Sequence, residues 1–287
     1  MILALPPHNL HKRALPMRGP KELITSEKRW DTQIGKSFPG ERVVYRGKDL
    51  FHDLRNLSWM QLYLLGITGR SFTKEQARLF EGMWTLCTSY PEFFLWNNRV
   101  GALAGTARST GVMALGSAIS LSEACIYGGR PIIRSIDFLY RTKIKLDQGT
   151  DLQVIIEDEL KKYRVIYGYG RPIVNRDERI NPLLNLAKEL NMAEGTYTRL
   201  AIAVEEALLR GRWRIRMNIL AILAGLSADQ GLTSHEFYFF LAPCFTAGIM
   251  PCFIESSQRP EGCFLPISQN RIHYTGHPPR NWTPLEK

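Results

Sequence analysis

The segment Tyr167-Gly168-Tyr169-Gly170-Arg171-Pro172-Ile173-Val174-Asn175-Arg176-Asp177-Glu178-Arg179 has the outline of a catalytic loop: paired glycines that free the backbone, then charged groups at close spacing. Arg171 stands where the chemistry would be expected. A guanidinium donates hydrogen bonds and holds an anion, but it stays protonated and cannot shuttle a proton. A second basic run alternates Arg210, Arg212, Arg214 and Arg216 with Gly211, Trp213 and Ile215, which would set four guanidiniums on one side of an extended strip. It is either a solvated basic edge or a phosphate-binding patch, for which the arginine fork is suited. Glu123 could face a cleft, and could equally cap or pair. The histidines His8, His11, His52, His235, His273 and His277 read as surface or structural residues.

Stepping outward from these residues, the 287-residue chain is long enough for one large domain or two ordinary ones. Its net charge of +10 favours anionic ligands such as nucleotides, phosphates or acyl-CoA. No nucleic-acid-binding signature accompanies that charge, so nucleic acid is not the expected partner. Cys87, Cys125, Cys244, Cys252 and Cys263 are widely spaced, with no C-x-x-C or Cys/His pairing. They read as reduced thiols in a cytoplasm, with no metal site. The opening Met1-Ile2-Leu3-Ala4-Leu5-Pro6-Pro7 is too short for a signal-peptide core and is broken by proline. Phe237 to Ile254 is nearly all apolar, yet Pro243, Gly248 and Pro251 interrupt it; the expectation is helices buried in a large core, with no membrane span.

Helical periodicity dominates and strand pattern is scarce, so the fold class is all-α. Residues 1 to 40 read as an N-terminal arm, followed by a short extended run at Glu41 to Leu50 that ends in a glycine turn. Trp59, Leu62, Tyr63 and Leu65 fall on one helical face, and Thr73-Lys74-Glu75-Gln76 is a capping box. Asn97 to Tyr127 is dense in glycine, alanine and serine, which implies close approach of another helix, either within one subunit or across a dimer interface. Further helices are expected at Asp151 to Val165, Pro182 to Met192, Thr196 to Leu209 and Met217 to Ala228. The charge-enriched stretch from 135 to 230 suggests a small domain inserted into a large one made of 41–134 and 231–287.

Several segments, in order from residue 30 to 282, resemble the citrate synthase superfamily, especially its citryl-CoA lyase branch, which includes the C-terminal module of ATP-citrate lyase. Tyr45-Arg46-Gly47-Lys48-Asp49-Leu50 resembles the family's Y-R-G-x-D-L, and Tyr127-Gly128-Gly129 its Gly-Gly after the long central helix. Gly168-x-Gly170-x-Pro172 with Asp177-x-Arg179 resembles G-x-G-H-[RP] and D-P-R. Asn218 fits N-V-D, and Arg271-x-x-Tyr274-Thr275-Gly276, with Pro279-Arg280-x-Trp282, resembles R-x-x-Y-T-G.

The resemblance implies a helical homodimer with domain closure over coenzyme A or an acyl-CoA, without a metal. It implies Claisen-type chemistry, in which a carboxylate removes a proton alpha to a thioester, histidines stabilise the enol, and arginines bind carboxylates. The sequence departs from that pattern at the reactive positions. The loop histidine is Arg171, the N-V-D aspartate falls on Leu220, and the histidine before Gly-Gly is Tyr127. An upstream histidine aligns with Trp96-Asn97-Asn98, the core-helix arginine with Phe245, and one C-terminal arginine with Gln269. The site residues the resemblance implies are therefore Arg171, Tyr127 and Asn97 for chemistry, and Asn98, Arg179, Asn218 and Arg271 for substrate. Arg210, Arg212 and Arg214 are the candidates for the CoA phosphates, and Glu236 is a candidate replacement base. A divergent acyl-CoA enzyme forming or cleaving a carbon–carbon bond is the leading reading. The alternative is a non-catalytic homologue, regulatory or paired with an active relative in a hetero-oligomer.

Overall fold

The computed structural model describes residues 21–27, 29–87, 92–124, 128–170, 177–263, 268–278 and 280. Its contacts separate two compact units that meet between Leu57 and Ser58. In the first, α1 (Lys21–Ser26) precedes a three-stranded antiparallel sheet in the order β1 (Gly35–Phe38), β2 (Arg42–Tyr45), β3 (Lys48–Asp49). Gly35 pairs with Tyr45 and Phe38 with Arg42, while Tyr45 pairs with Lys48 across a turn in which Arg46 and Gly47 both have positive φ. The extended run expected after residue 40 is thus β2 and β3. Residues 21 to 40, expected to be an arm, contribute α1 and β1; the short stretch Gly35-Lys36-Ser37-Phe38 has too little alternation to announce a strand.

The second unit is all-α. Its helices are α2 (Trp59–Thr68), α3 (Lys74–Cys87), α4 (Trp96–Thr106), α5 (Gly111–Ser122), α6 (Gly129–Asp147), α7 (Leu152–Tyr163), α8 (Ile180–Glu189), α9 (Thr196–Arg210), α10 (Ile219–Asp229), α11 (Ser234–Leu241) and α12 (Thr246–Gln258). The predicted capping box is present: the Gln76 amide donates to Thr73 Oγ1 at 3.2 Å and the Thr73 amide to Gln76 Oε1 at 2.9 Å. Ser58 with Gln61 and Thr233 with Glu236 form two more. On α2 the buried side chains are Met60, Gln61, Leu64 and Leu65, so the inward face is rotated from the one expected and Trp59 is left exposed.

The core gathers around α10, whose residues are buried on nearly every side. Phe80, Phe138, Phe237 and Phe240 are its largest fully buried side chains, with Phe80 and Phe240 packed edge to face at 4.8 Å. The antiparallel neighbour of α10 is α9. Asp229, at the end of α10, accepts from the Tyr197 and Thr198 amides at 2.8 and 2.9 Å and so caps the start of α9. Gly225 lets the two backbones meet, since a Cβ there would lie 2.9 Å from the Thr198 Cα.

The apolar stretch Ser234–Gln258 is long and apolar enough, by length and composition, to cross a membrane. It is not one straight helix. A 3₁₀ turn at Ala242–Phe245 carrying Pro243 divides α11 from α12, and Pro251 sits inside α12. Phe237, Phe240, Leu241, Cys244, Ile249 and Cys252 are buried as expected, whereas Phe239 and Ile254 remain exposed.

The small residues of α4 answer to packing inside the chain. A Cβ on Gly101 would lie 3.0 Å from the carbonyl oxygen of Ile249, and one on Gly105 would overlap the carbonyl oxygen of Phe253, both on α12. On α5, by contrast, Gly116 faces open space. Gly105→Ala is therefore expected to destabilise the protein by about 1–3 kcal/mol through overpacking. Gly116→Ala is expected to stabilise it by up to about 1 kcal/mol through helix propensity. Denaturation midpoints of the two variants against the parent chain test the pair.

Candidate functional site

A cavity of about 790 Å³ opens in the second unit, within the size range of small-molecule sites. Six places in the chain line it: Cys87 at the end of α3, Glu92 to Leu95 ahead of α4, the first turn of α6, the loop Val165 to Gly170 with Glu178 and Arg179, the start of α10, and Leu241 to Phe245.

The loop is shaped by its glycines. Gly168 and Gly170 have φ of +95° and +93°, values that favour glycine. A Cβ on Gly168 would also come within 3.0 Å of the Ala221 Cα, so the loop rests directly on α10. Backbone pairing fixes this approach, with the Gly170 amide donating to the Arg216 carbonyl at 2.7 Å and the Asn218 amide to the Gly168 carbonyl at 2.8 Å. Asn218 completes it as N-cap of α10. Its Oδ1 accepts from the Leu220 amide at 3.0 Å and its Nδ2 donates to the Gly170 carbonyl at 3.0 Å. Asn218 thus lines the cavity while holding loop and helix together.

Asp177 is the second tie. Its carboxylate is fully buried and receives Arg179 Nε and Nη2, each at 2.8 Å, in a two-pronged pair. It also accepts the Ile219 amide at the start of α10, at 2.9 Å. Burial alone would raise the carboxyl, but the Arg179 hydrogen bonds and charge, with the Ile219 amide, hold it below the usual range. The pair fixes the Arg179 side chain, which is among the residues lining the cavity.

Leu220 and Phe245, which the resemblance placed at the family's aspartate and arginine, both line this cavity, beside Arg179 and Asn218. Asn97 and Asn98 are fully buried in the first turn of α4 and do not line it. Asn98 Nδ2 donates to the Glu92 carbonyl at 3.1 Å and Arg99 Nε to the Phe93 carbonyl at 3.1 Å, so this turn of α4 shapes the lining segment ahead of it. Arg171 and Tyr127 lie outside the described residues. Arg271 sits exposed in the 3₁₀ turn Gln269–Arg271 and is not among the lining residues.

The basic run is not an extended strip. Arg210 ends α9, a turn follows at Gly211, Arg212 stacks on Trp213 at 5.0 Å, and Arg214 has a positive φ of 51°. The turn after α9 breaks the alternation, and none of Arg210, Arg212 and Arg214 lines the cavity. Glu236 spends its carboxylate on the capping box of α11 and an ion pair with Arg70 at 3.0 Å, which removes it as a replacement base. Glu123 accepts from the Tyr238 hydroxyl at 3.0 Å, so it pairs.

Two carboxylates that sequence reasoning passed over, Glu92 and Glu178, reach the cavity. Glu178 was visible only as the middle of the Asp177–Arg179 run, and nothing in the sequence around Glu92 marks it. Cys87 and Cys244 also line the cavity. Burial pushes both thiols up, Cys244 to about 12, so they are protonated and weakly nucleophilic at neutral pH. Among the described residues no cluster of three or more histidine, cysteine, aspartate or glutamate side chains is arranged to hold a metal.

The lowered Asp177 carboxyl has a defined pH signature. A carboxylate with a depressed folded-state pKa adds stability in full above the unfolded value near 4, and that stability is lost as pH falls through the folded pKa. Asp177→Asn should cost about 3 kcal/mol at pH 7 by removing the buried charge that Arg179 forks onto. The stability of the variant should also fall less between pH 6 and pH 3 than that of the parent chain. Denaturant unfolding at both pH values tests this.

A scan of family models and a comparison with curated proteins return no match for the sequence. Comparison with solved structures finds the fold in several proteins. Citryl-CoA lyase from Hydrogenobacter thermophilus superposes with a TM-score of 0.77 at 19% identity, over 89% of this chain and 98% of its own. ATP citrate lyase from Methanothrix soehngenii, solved with citrate and coenzyme A, gives 0.71 at 18% identity; the match covers 92% of this chain and 45% of that longer protein. Citrate synthase from Thermoplasma acidophilum, solved with carboxymethyl coenzyme A and oxaloacetate, gives 0.60 at 17% identity over 79% of this chain and 59% of that one. Likeness at these identities establishes the fold.

Proposed function

We propose that this chain, which has the citrate synthase fold, binds an acyl-CoA and forms or cleaves a carbon–carbon bond by Claisen-type chemistry on a non-standard substrate. One observation carries the reading: the cavity is lined by Arg179, anchored on the buried Asp177, together with two carboxylates, Glu92 and Glu178. Glu178 is the proton acceptor, because it stands next to Arg179, so base and anion clamp come from one turn. In the forward direction Glu178 takes a proton alpha to the thioester, the enolate carbon attacks a carbonyl, and the resulting alkoxide is protonated. Cleavage reverses these steps. The basic residues Arg210, Arg212 and Arg214 are assigned to the phosphates of coenzyme A, in keeping with the overall positive charge. Residues 135 to 230 would be the smaller domain that closes on the ligand, and a reducing cytoplasm suits the buried thiols Cys87, Cys244 and Cys252.

Exchange of the acetyl-CoA methyl protons in deuterated water, followed by NMR, tests the chemistry. The parent chain should catalyse exchange, and Glu178→Gln should slow it about 10²- to 10⁴-fold. Binding of acetyl-CoA without any exchange would instead favour the non-catalytic partner, and absence of binding at millimolar concentration would overturn both.

The chain is further proposed to act as a homodimer. The mutually packed α4, α5 and α12 leave apolar side chains outward, with Val112 82% and Met113 62% exposed. Sedimentation equilibrium should give a dimer for the parent chain and a monomer for Val112→Asp. A monomeric parent chain would sink this assignment, and a mass fitting two chains only after mixing with a homologue would point to a hetero-oligomer.

A further inference from the structure

Two buried thiols that the proposed reaction does not use, Cys87 and Cys244, line the same cavity. Cys87 is the last residue of α3, and Cys244 sits in the 3₁₀ turn Ala242–Phe245 that divides α11 from α12. These segments are packed together, with Cα atoms of one within 8 Å of the other, and both cysteines belong to one apolar cluster. The Cys244 thiol lies near enough to help push the Cys87 thiol up, while the Arg179 charge pulls both down against the larger effect of burial. Cys252 is buried on α12 and does not line the cavity, and Cys263 is exposed. Two thiols far apart along the chain are thus carried by touching segments to a wall that a small solute can reach.

We propose that Cys87 and Cys244 are a redox pair, which hydrogen peroxide entering the cavity converts to a disulfide that ties the end of α3 to the joint between α11 and α12 and narrows the cavity. One sulfur, as its thiolate, attacks a peroxide oxygen; the O–O bond breaks, the sulfur becomes a sulfenic acid, and the other oxygen leaves as water. The second sulfur displaces the hydroxyl group, which forms the S–S bond and releases a second water. Two electrons pass from the sulfurs to the peroxide, and the two thiol protons end in the water formed. Burial keeps both thiols protonated at rest, so the step is slow at neutral pH and speeds up as pH rises.

The test treats the folded full chain with hydrogen peroxide, blocks the remaining thiols by alkylation, and maps the peptides by mass. The expected product is a peptide linked through Cys87 and Cys244, lighter by two hydrogen atoms and released by dithiothreitol. It should form about tenfold faster per unit rise in pH between 7 and 9, and the melting temperature should rise by about 5–10 °C. A different partner for either cysteine, oxygenated sulfur without the linkage, or no reaction in the folded chain would each overturn the pair. The map is made on the parent chain, so it stands whether or not a Cys244→Ala variant folds. Acetyl-CoA should bind the oxidised chain at least about tenfold more weakly than the reduced chain, and equal affinity would overturn the narrowing. That last arm rests on the reading of the cavity as an acyl-CoA site, whereas the linkage does not, so the two fail separately.

Discussion

The carboxylate of Asp177 is the constraint on which the site depends. Fully buried, it receives the fork of Arg179 and the backbone amide that opens α10, so one side chain ties a loop cation to the most buried helix of the fold. Removing either partner of such a pair takes away the opposite charge that offsets the burial of the other. Asn218 adds a neutral version of the same connection, capping α10 with its oxygen and holding the Gly170 carbonyl with its nitrogen. Together they tie residues 168 to 170 and 177 to 179 to the start of α10.

That frame was legible for local physical reasons. Gly168 and Gly170 are needed where φ is positive and where Ala221 lies against the backbone, requirements that leave a mark in sequence. The box at Thr73 and Gln76 was legible because capping fixes residue type at fixed spacing. The alternating arginines from Arg210 to Arg216 misled because period two presumes an extended backbone, while the chain turns after α9 and Arg214 takes a left-handed conformation. No periodicity brings Glu92 to the cavity. Its position depends on Asn98 and Arg99 holding the carbonyls of the preceding segment, a tertiary arrangement without a local signature.

Leu220 and Phe245 set the character of the cavity wall. A leucine and a phenylalanine at the cavity wall lower the local polarity, which strengthens what charge interactions remain there, those of Arg179, Glu92 and Glu178. The same environment leaves the Cys87 and Cys244 thiols protonated despite the neighbouring guanidinium. Burial dominates over charge attraction at those sulfurs, whereas the hydrogen bonds and charge of Arg179, with the Ile219 amide, prevail over burial at Asp177.

The cavity is walled by segments drawn from Cys87 through Phe245, far apart along the chain. No one stretch contains enough of it to recognise a ligand, so it comes into being only when the long-range topology is complete, late in folding. Occupancy is therefore coupled to the whole second unit and not to one loop. A ligand would raise the melting temperature of that unit in step with its concentration, which makes the cooperative unfolding transition itself a reporter of what the cavity holds.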